Sequence, residues 1–422
     1  MAGIGTAVLA QVLPAMAAPG PLACALRAKA DSLPLRPGGS RNPVWSLGDG
    51  DIRFRRGDVP EIVFGNGLPI PAVLNWRGID GASAAEPLLA RTSVVPGATD
   101  TFRVALRHAG TYLCDLALLG DGAAQPSRGL PVIVDESEPV AVDRDVVFLI
   151  EDWRLRVDGT AIAPGIDPKG TTSVYTVNGL TTLEVAARAH ERLRFRFING
   201  CQRNVVAIKI ERHEAQVMAL DGQPSEPFLA RNGALVLAPG GRADTFIDAG
   251  AAPVSTASIL LHDGKEARPI GRLVASTEPP IRDEAMTAAS ALPSNGLPAQ
   301  LDLRNALRFD LSLGGPQADW MPPPDFVASS PPAFRAKTGR TVVLALTNRA
   351  EIATVFHLHG HHFRLLDRLD DGWKPFWLDT LAIDAGQTQR IVFAAEKSGR
   401  WLLEATATDW AAPRLIKWYM VE

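Results

Sequence analysis

The amino-acid sequence predicts an all-β protein whose strands pack as sandwiches or barrels. Short runs of alternating apolar and polar residues, such as those beginning at Asp51, Arg192 and Thr341, have the two-residue period of half-buried strands. Turn-forming residues interrupt these runs about every ten residues, in keeping with the 37 glycines and 33 prolines. Long stretches of helical periodicity are hard to find, so the pattern favours strands throughout the chain.

The length and the charge of the chain limit its architecture and its partners. A chain of 422 residues is too long for one ordinary hydrophobic core, which favours two or three domains. The net charge is −3 and no basic stretch could neutralise a row of phosphates, so we expect no nucleic-acid partner. No apolar run is long enough to cross a bilayer, so we expect no membrane span.

A weak internal repeat predicts three copies of one folding unit. A charged residue, a glycine, a strand and an asparagine follow one another from Arg56 to Asn66 and again from Thr338 to Asn348. A middle copy, from His190 to Asn199, has its glycine position altered. A proline-rich stretch at 279–298 has the composition of a linker. The predicted domains are residues 25–140, 141–280 and 290–422.

Residues 2–18 have features of a secretory signal. They contain no charged residue and end in Ala15-Met16-Ala17, a small-x-small pattern typical of a cleavage site. A mature chain beginning near Ala18 or Pro19 would be periplasmic or secreted. Because no lysine or arginine precedes the apolar run, a start codon upstream of Met1 or a disordered apolar tail is the alternative.

Three cysteines, Cys24, Cys114 and Cys201, are too few for a disulfide framework. No two of them have the CxxC spacing of a metal or redox motif. One bridge could form, but the spacings do not indicate it. We therefore predict buried, inert thiols.

The strongest chemical signal is the run of histidines in residues 357–363, HLHGHHF. If this segment is a strand, His357, His359 and His361 point to one face, with adjacent Cβ atoms roughly 6–7 Å apart. Neutral imidazoles at that spacing suit a metal ion. His362 would point the other way. The run therefore predicts a metal site at His357, His359 and His361, with a packed or solvated strand as the alternative.

The same run resembles the third copper motif of the multicopper oxidases, H-P-x-H-L-H-G-H-x-F, and the similarity continues through most of residues 35–422. Residues 74–78 resemble the first motif, H-W-H-G, and residues 110–117 resemble the second, G-T-F-W-Y-H-S-H. Residues 399–406 resemble the fourth, G-x-W-L-x-H-C-H. The resemblance implies three cupredoxin-like Greek-key β-sandwich domains, with copper ligands in the first and third.

The chain departs from the family at the copper ligands. Of the expected histidines around the trinuclear copper cluster, only His357 and His359 remain, and the mononuclear site keeps none of its ligands. The other ligand positions hold Asn75, Arg77, Asp115, Ala117, Thr354, Glu404, Ala405, Thr406 and Trp410. Ala405 has no side-chain donor where a copper thiolate is needed, and Arg77 is a permanent cation. We therefore expect no four-copper oxidase activity and no blue colour.

Three functions remain open. The first is an extracytoplasmic binding or structural protein with an unidentified protein or small-molecule partner, similar to copper-free family members associated with bacterial cell division and envelope stress. The second is a protein that holds a single copper ion at His357, His359 and His361 for storage, delivery or slow redox work. The third is a working copper-dependent oxidoreductase of the family. A count of bound copper ions separates the three.

Charged residues at the former ligand positions raise two alternatives. Arg77, Asp115 and Glu404 could form a buried ionic cluster between the first and third domains, since buried charges need partners. Alternatively, the cleft is open and all three are solvated. If the domains meet as in the family, Asn75, Arg77, Asp115, His357, His359 and Glu404 should converge. Beside a guanidinium, we expect the remaining histidines to be neutral.

Overall fold

The computed structural model describes residues 22–251, 256–315, 319–367 and 372–422, and nearly all its regular elements are strands. The segment at 2–18 that resembles a secretory signal lies outside the described residues. Within those ranges, no helix is long and apolar enough to cross a membrane. In the described part of the chain, four single-turn 3₁₀ helices interrupt the strands, at Ser83–Ala85, Ala117–Leu119, Arg231–Gly233 and Pro323–Asp325. The prediction of an all-β fold is confirmed.

The first unit, from Ala23 to Asp135, is a sandwich of two four-stranded sheets. Its strands are β1 Ala23–Pro34, β2 Arg41–Ser46, β3 Ile52–Arg55, β4 Glu61–Asn66, β5 Asn75–Arg77, β6 Thr99–Arg103, β7 Gly110–Asp115 and β8 Leu130–Asp135. One sheet has the order β2-β1-β4-β6 and the other β3-β8-β7-β5. Phe64 from the first sheet and Tyr112 from the second share one buried core.

The middle unit, from Arg144 to Ala275, packs a larger sheet against a five-stranded one. Its strands are β9 Arg144–Leu155, β10 Ala161–Ile162, β11 Thr172–Val177, β12 Leu183–Ala187, β13 Arg192–Asn199, β14 Val206–Ile210, β15 Gln216–Leu220, β16 Gln223–Leu229, β17 Ala234–Leu237, β18 Arg242–Asp248, β19 Thr256–His262 and β20 Ala267–Ala275. The larger sheet runs β10-β9-β13-β18-β15-β16, with β11 also paired to β9, and the smaller runs β12-β20-β19-β14-β17. Phe148 and Phe195 meet Ile259 in the core between them.

The third unit, from Leu307 to Val421, repeats the arrangement. Its strands are β21 Leu307–Leu313, β22 Arg335–Ala336, β23 Arg340–Asn348, β24 Thr354–Leu358, β25 Arg364–Leu365, β26 Thr380–Ile383, β27 Thr388–Ala395, β28 Gly399–Ala407 and β29 Arg414–Val421. The sheets have the orders β21-β23-β27-β25 and β22-β29-β28-β24-β26. Leu344 and Phe393 pack against Phe356 and Trp401 from the opposite sheet.

Two antiparallel strand pairs place the candidate site between the first and third units. In the first unit β5 pairs with β7, which sets Asn75 opposite Asp115. In the third unit β24 pairs with β28, which sets His357 opposite Glu404. Every residue of β5, β7 and β24 is buried. The strands thus form three pairs of sheets, while the domain limits given above stay a prediction.

Candidate functional site

Strand alternation directs the side chains of β5 into the site. Asn75 and Arg77 are two residues apart and so point to the same face of the sheet, whereas Trp76 points into the core of the first unit. The same rule places His357 and Glu404 on the site face of the third unit, and Ala405 in its core. The residues that were expected to converge do so, and this prediction is confirmed.

Arg77 lies at the centre of the site and joins the first unit to the third. Its Nε donates to Asp115 Oδ2 at 2.6 Å, and its Nη2 donates to Glu404 Oε2 at 3.2 Å. All three side chains are less than a tenth exposed. Burial alone would lower the pKa of Arg77, but the charges of Asp115 and Glu404 outweigh it and raise that pKa. The prediction of an ionic cluster is confirmed, and the alternative of three solvated charges is wrong.

Glu404 accepts hydrogen bonds from four side chains at once. Its Oε1 accepts from Asn75 Nδ2 and His359 Nε2, both at 2.9 Å. Its Oε2 accepts from Arg77 and, at 2.6 Å, from Arg414 Nη1. Burial would raise the pKa of Glu404, but Arg77, Arg414 and His359 hold it well below its usual value. This carboxylate is therefore ionised and fully paired.

His359 lies between two carboxylates. Its Nδ1 is 2.9 Å from Glu86 Oε1, and its Nε2 is 2.9 Å from Glu404 Oε1. Burial opposes protonation, but Glu86 and Glu404 raise the pKa of His359 to about 9. The imidazole is therefore a cation that donates from both nitrogens. The expectation of a neutral ring rested on the positive charge of Arg77 alone. It is wrong here because the carboxylate of Glu86 also faces the imidazole and stabilises its protonated form.

His357 differs from its neighbour in keeping a free lone pair. Thr380 Oγ1 donates to Asp379 Oδ1, so it accepts from His357 Nδ1 at 2.8 Å. His357 Nε2 is then the unprotonated nitrogen, and it has no hydrogen-bond partner among the described residues. Burial lowers the pKa of His357 to about 4. The expectation of a neutral imidazole is confirmed for this residue.

His361 points away from the site, so the expectation that it shares a face with His357 is wrong. Strand β24 ends at Leu358, and the chain turns at Gly360, whose φ is 73°. His361 Nδ1 then lies 2.8 Å from Tyr419 Oη, and its Nε2 accepts from the backbone N–H of Lys397 at 3.2 Å. The strand alternation on which the prediction depended stops before this residue.

A second buried cluster lies behind His357 and joins all three units. Arg242 of the middle unit forms a two-pronged ion pair with Asp379 of the third, with Nη1–Oδ1 at 3.0 Å. His362 Nδ1 lies 2.8 Å from Asp80 Oδ1 of the first unit, and its Nε2 donates to the carbonyl of Asp221 in the middle unit. Burial opposes the charge, but Asp80 and Asp379 raise the pKa of His362 to about 10.

The site lines a small, partly open cavity of about 30 Å³, enough for one or two water molecules. Its walls from the first and third units carry Arg77, Asp115, His357, Glu404 and Arg414, and loops of the middle unit close it at Gly200, Gln202 and Gly240. Ligand atoms of His357, His359 and Glu404 lie within 4.8 Å of one another. Geometrically, these three side chains could approach one metal ion.

The positions of the mononuclear copper site hold no comparable set of donors. Thr354 Oγ1 donates to Asn348 Oδ1 at 3.1 Å, and Ala405 is part of the hydrophobic core. Trp410 Nε1 donates to the carbonyl of Ala163 in the middle unit at 3.0 Å. The indole therefore closes this position against the neighbouring unit.

Two participants in the site were not identified from the sequence. Arg414 lies on β29 opposite Thr406, so the pairing of β28 with β29 brings it to Glu404. A predicted hairpin between these strands could have indicated it. Glu86 lies just after a 3₁₀ turn in a long connection, where no periodic pattern signals its position.

Comparison with known proteins identifies the family. Two family models, both described as multicopper oxidase, match residues 144–265 and 300–421, which together are more than half of the chain. The chain belongs to the multicopper oxidase family. It is 25% identical over 420 residues to the multicopper oxidase MmcO of Mycobacterium tuberculosis (strain ATCC 25618 / H37Rv), covering 83% of this chain and 77% of that protein.

Solved structures of multicopper oxidases have the same fold. The structure of Lac15 from a marine microbial metagenome superposes with a TM-score of 0.78 at 23% identity, covering 95% of this chain and all of that one. A multi-copper oxidase from Pseudomonas thermotolerans gives 0.78 at 24% identity, covering 95% and 99%. The predicted cupredoxin-like sandwich fold is therefore confirmed. The family is named for copper-dependent oxidoreductases.

Proposed function

We propose that this chain is an extracytoplasmic member of the multicopper oxidase family that does not carry out the four-copper oxidase reaction and acts as a binding or structural module. The observation that carries the proposal is the guanidinium of Arg77. It occupies a position where the family's first motif has a copper-ligating histidine, and it is buried between Asp115 and Glu404. A permanent cation stands where copper would have to bind.

The donors that surround this guanidinium do not fit a trinuclear copper cluster. Ala117 has no donor atom, and Asn75 already donates to Glu404. Arg414 brings a second permanent cation onto Glu404 Oε2. Three copper ions, each carrying one or two positive charges, would have to enter a cavity of about 30 Å³ that is lined by ion pairs.

The residues at the mononuclear copper positions also provide no site at which an electron could enter the protein. Family members take electrons at a copper held by a cysteine thiolate, which is the soft ligand of that site. Here the position holds Ala405, and the neighbouring histidine positions hold Thr354 and Trp410, whose polar atoms are bonded within the protein. We therefore assign no redox step to this chain.

The buried cluster supports a structural role for the residues at the family's copper-ligand positions. Within the cluster, the guanidinium groups of Arg77 and Arg414 pair with the carboxylates of Asp115 and Glu404. These pairs connect β5 and β7 of the first unit to β28 and β29 of the third. Removing one partner from a buried ion pair leaves an uncompensated charge, so such a cluster fixes the relative position of the two units. The proposed export depends separately on the charge-free segment at 2–18.

A single-copper protein is the second candidate function. It is favoured by the approach of His357, His359 and Glu404 and by the free lone pair on His357 Nε2. Binding would require His359 to lose a proton and give up a hydrogen bond to Glu86 or Glu404. His361 is not part of this set, because its ring is bonded to Tyr419.

Copper content of the reconstituted protein tests both proposals. The full chain is incubated with cupric or, anaerobically, cuprous ion, desalted and analysed for metal, together with His357→Ala and the control His262→Ala at an exposed histidine. We expect no stoichiometric copper and no intense blue absorption. About one copper per chain that His357→Ala alone removes would support the second candidate instead. About four coppers with a blue band would contradict both.

A further inference from the structure

A surface cleft whose lining shares no residue with the ionic cluster lies where the middle and third units meet. Its volume is about 330 Å³, which is within the range of small-molecule sites. The start of β16, with Ser225 and Glu226, lines the cleft together with Arg364 of β25 and Trp377. The segment that connects the two units forms the floor and includes Leu292.

The floor of this cleft is fixed in place by the first unit. Asn295 Nδ2 donates to the carbonyl of Ala109 at 2.8 Å, and its Oδ1 accepts from the N–H of the same residue at 2.9 Å. Arg56 Nη1 also holds the carbonyl of Ser294 at 2.9 Å. The cleft is therefore a preformed concave surface at the junction of all three units, where ligand sites commonly occur.

Arg364 is the unusual residue of the cleft. Its guanidinium carbon lies 4.5 Å from the ring centroid of Trp377 and 5.8 Å from that of Trp373, within the range of cation–π contacts. Stacking uses the face of the guanidinium and leaves its N–H edge available to a ligand. Arg364 forms no ion pair or hydrogen bond with any described residue, and its Nε is buried without an acceptor. By contrast, the buried Arg77 and Arg242 each pair with a carboxylate.

A second polar atom in the same cleft also lacks a partner. Ser225 is buried, and its Oγ has no hydrogen-bond partner among the described residues. Leaving a buried donor unsatisfied is unfavourable unless a ligand or a water molecule accepts its hydrogen bond. Arg364 and Ser225 are thus two polar side chains beside one cleft with atoms that lack a partner among the described residues.

We propose that this cleft binds a small organic monocarboxylate whose apolar or aromatic body packs on Trp377 and Leu292 and whose carboxylate pairs with Arg364. The planar N–H fork of arginine matches the two oxygens of a carboxylate. Burial lowers the pKa of Arg364 in the free protein, and an anion would offset that desolvation. Glu226, exposed in the same lining, repels a dianion such as a phosphate monoester more strongly than it repels a monocarboxylate. The proposed site shares no lining residue with the ionic cluster, so it does not depend on whether the chain binds copper.

Binding of benzoate to the full chain, followed by tryptophan fluorescence and calorimetry, tests the proposal. Benzamide is the neutral isostere and phenylphosphonate the dianion. We expect saturable binding of benzoate, no saturable binding of benzamide, and weaker binding of phenylphosphonate. Arg364→Met, which keeps the apolar stem, should weaken benzoate binding roughly tenfold or more, and Arg364→Lys should weaken it less.

Arg400→Met is the matched control, because Arg400 also stacks on a tryptophan, Trp418 at 5.8 Å, but lies outside the cleft. This variant should bind benzoate like the unaltered protein. Thermal unfolding followed by circular dichroism establishes that each variant is folded, and Arg364→Lys carries the test if Arg364→Met is not. The proposal is overturned if benzoate does not bind saturably, if the Arg364 variants bind it unchanged, or if phenylphosphonate binds more tightly.

Discussion

At the scale of single residues, the site shows how a family's metal centre can be replaced by protein charges. Arg77 and Arg414 supply positive charge, and Asp115 and Glu404 supply negative charge, so these opposite charges balance without a metal ion. His359 contributes a further positive charge because Glu86 and Glu404 flank it. The residue types at the family's ligand positions indicated Arg77, Asp115 and Glu404 as one of two alternatives, whereas Arg414 and Glu86 lie outside those positions and were not indicated.

Loss of Arg77 should destabilise the protein substantially. Arg77→Ala leaves Asp115 and Glu404 buried with less compensation, and we expect the free energy of unfolding to fall by about 3 kcal/mol. Arg272→Ala is the control, since Arg272 pairs with Glu184 at 2.7 Å but is 56% exposed, and such a pair contributes less than about 1 kcal/mol. Urea unfolding measures both. Equal losses would contradict the assignment of a buried cluster.

His359 should make the protein less stable at high pH. Its folded-state pKa is about 9, raised from 6.5, so its stabilising contribution is complete below pH 6.5 and is lost as the pH rises through 9. We expect His359→Gln to lower the free energy of unfolding near pH 6.5, by up to about 3 kcal/mol, and much less near pH 10. Urea unfolding at both pH values measures it. The exposed His262→Gln should show no such difference, and a pH-independent effect of His359→Gln would refute the protonated state.

At the scale of elements, the end of β24 decides which histidines meet. The strand places His357 opposite Glu404, and the turn at Gly360 then sends His361 toward Tyr419. Strand alternation was predictable from the sequence, but the point where it stops depends on packing against β28. A Cβ at Gly360 would lie 2.2 Å from the ring of Trp401, so this backbone position is set by a tertiary contact.

Substituting Gly360 should therefore be more damaging than its backbone angle alone explains. Gly386 has a similar φ, 71° against 73°, but nothing lies within 4 Å of a Cβ there. We expect Gly386→Ala to lower the free energy of unfolding by about 1 kcal/mol, from backbone strain. Gly360→Ala should lower it by about 3 kcal/mol or more, because the methyl group collides with a buried indole. Similar losses in chemical denaturation would mean that the Trp401 contact is not decisive.

At the scale of the whole molecule, local patterns predicted the architecture and long-range contacts completed the site. Alternating runs and turn residues predicted strands, and the weak internal repeat predicted three units of them. The resemblance to the family's copper motifs implied that Asn75 and Glu404 would meet although they are far apart in sequence. The sequence did not indicate Glu86, because its connection has no period. It also did not indicate the pairing of Arg242 with Asp379, because that contact depends on how the middle and third units pack.

Oxygen consumption by the copper-treated full chain tests most directly the claim that this scaffold does not reduce dioxygen. The protein is incubated with cupric ion, desalted, and assayed in an oxygen electrode with a phenol, bilirubin or cuprous ion as the electron donor. The donor set around Arg77 and the alanine at position 405 predict no oxygen uptake above that of the same buffer with free copper at the residual concentration. Sustained, protein-dependent oxygen uptake that His357→Ala abolishes would contradict the account.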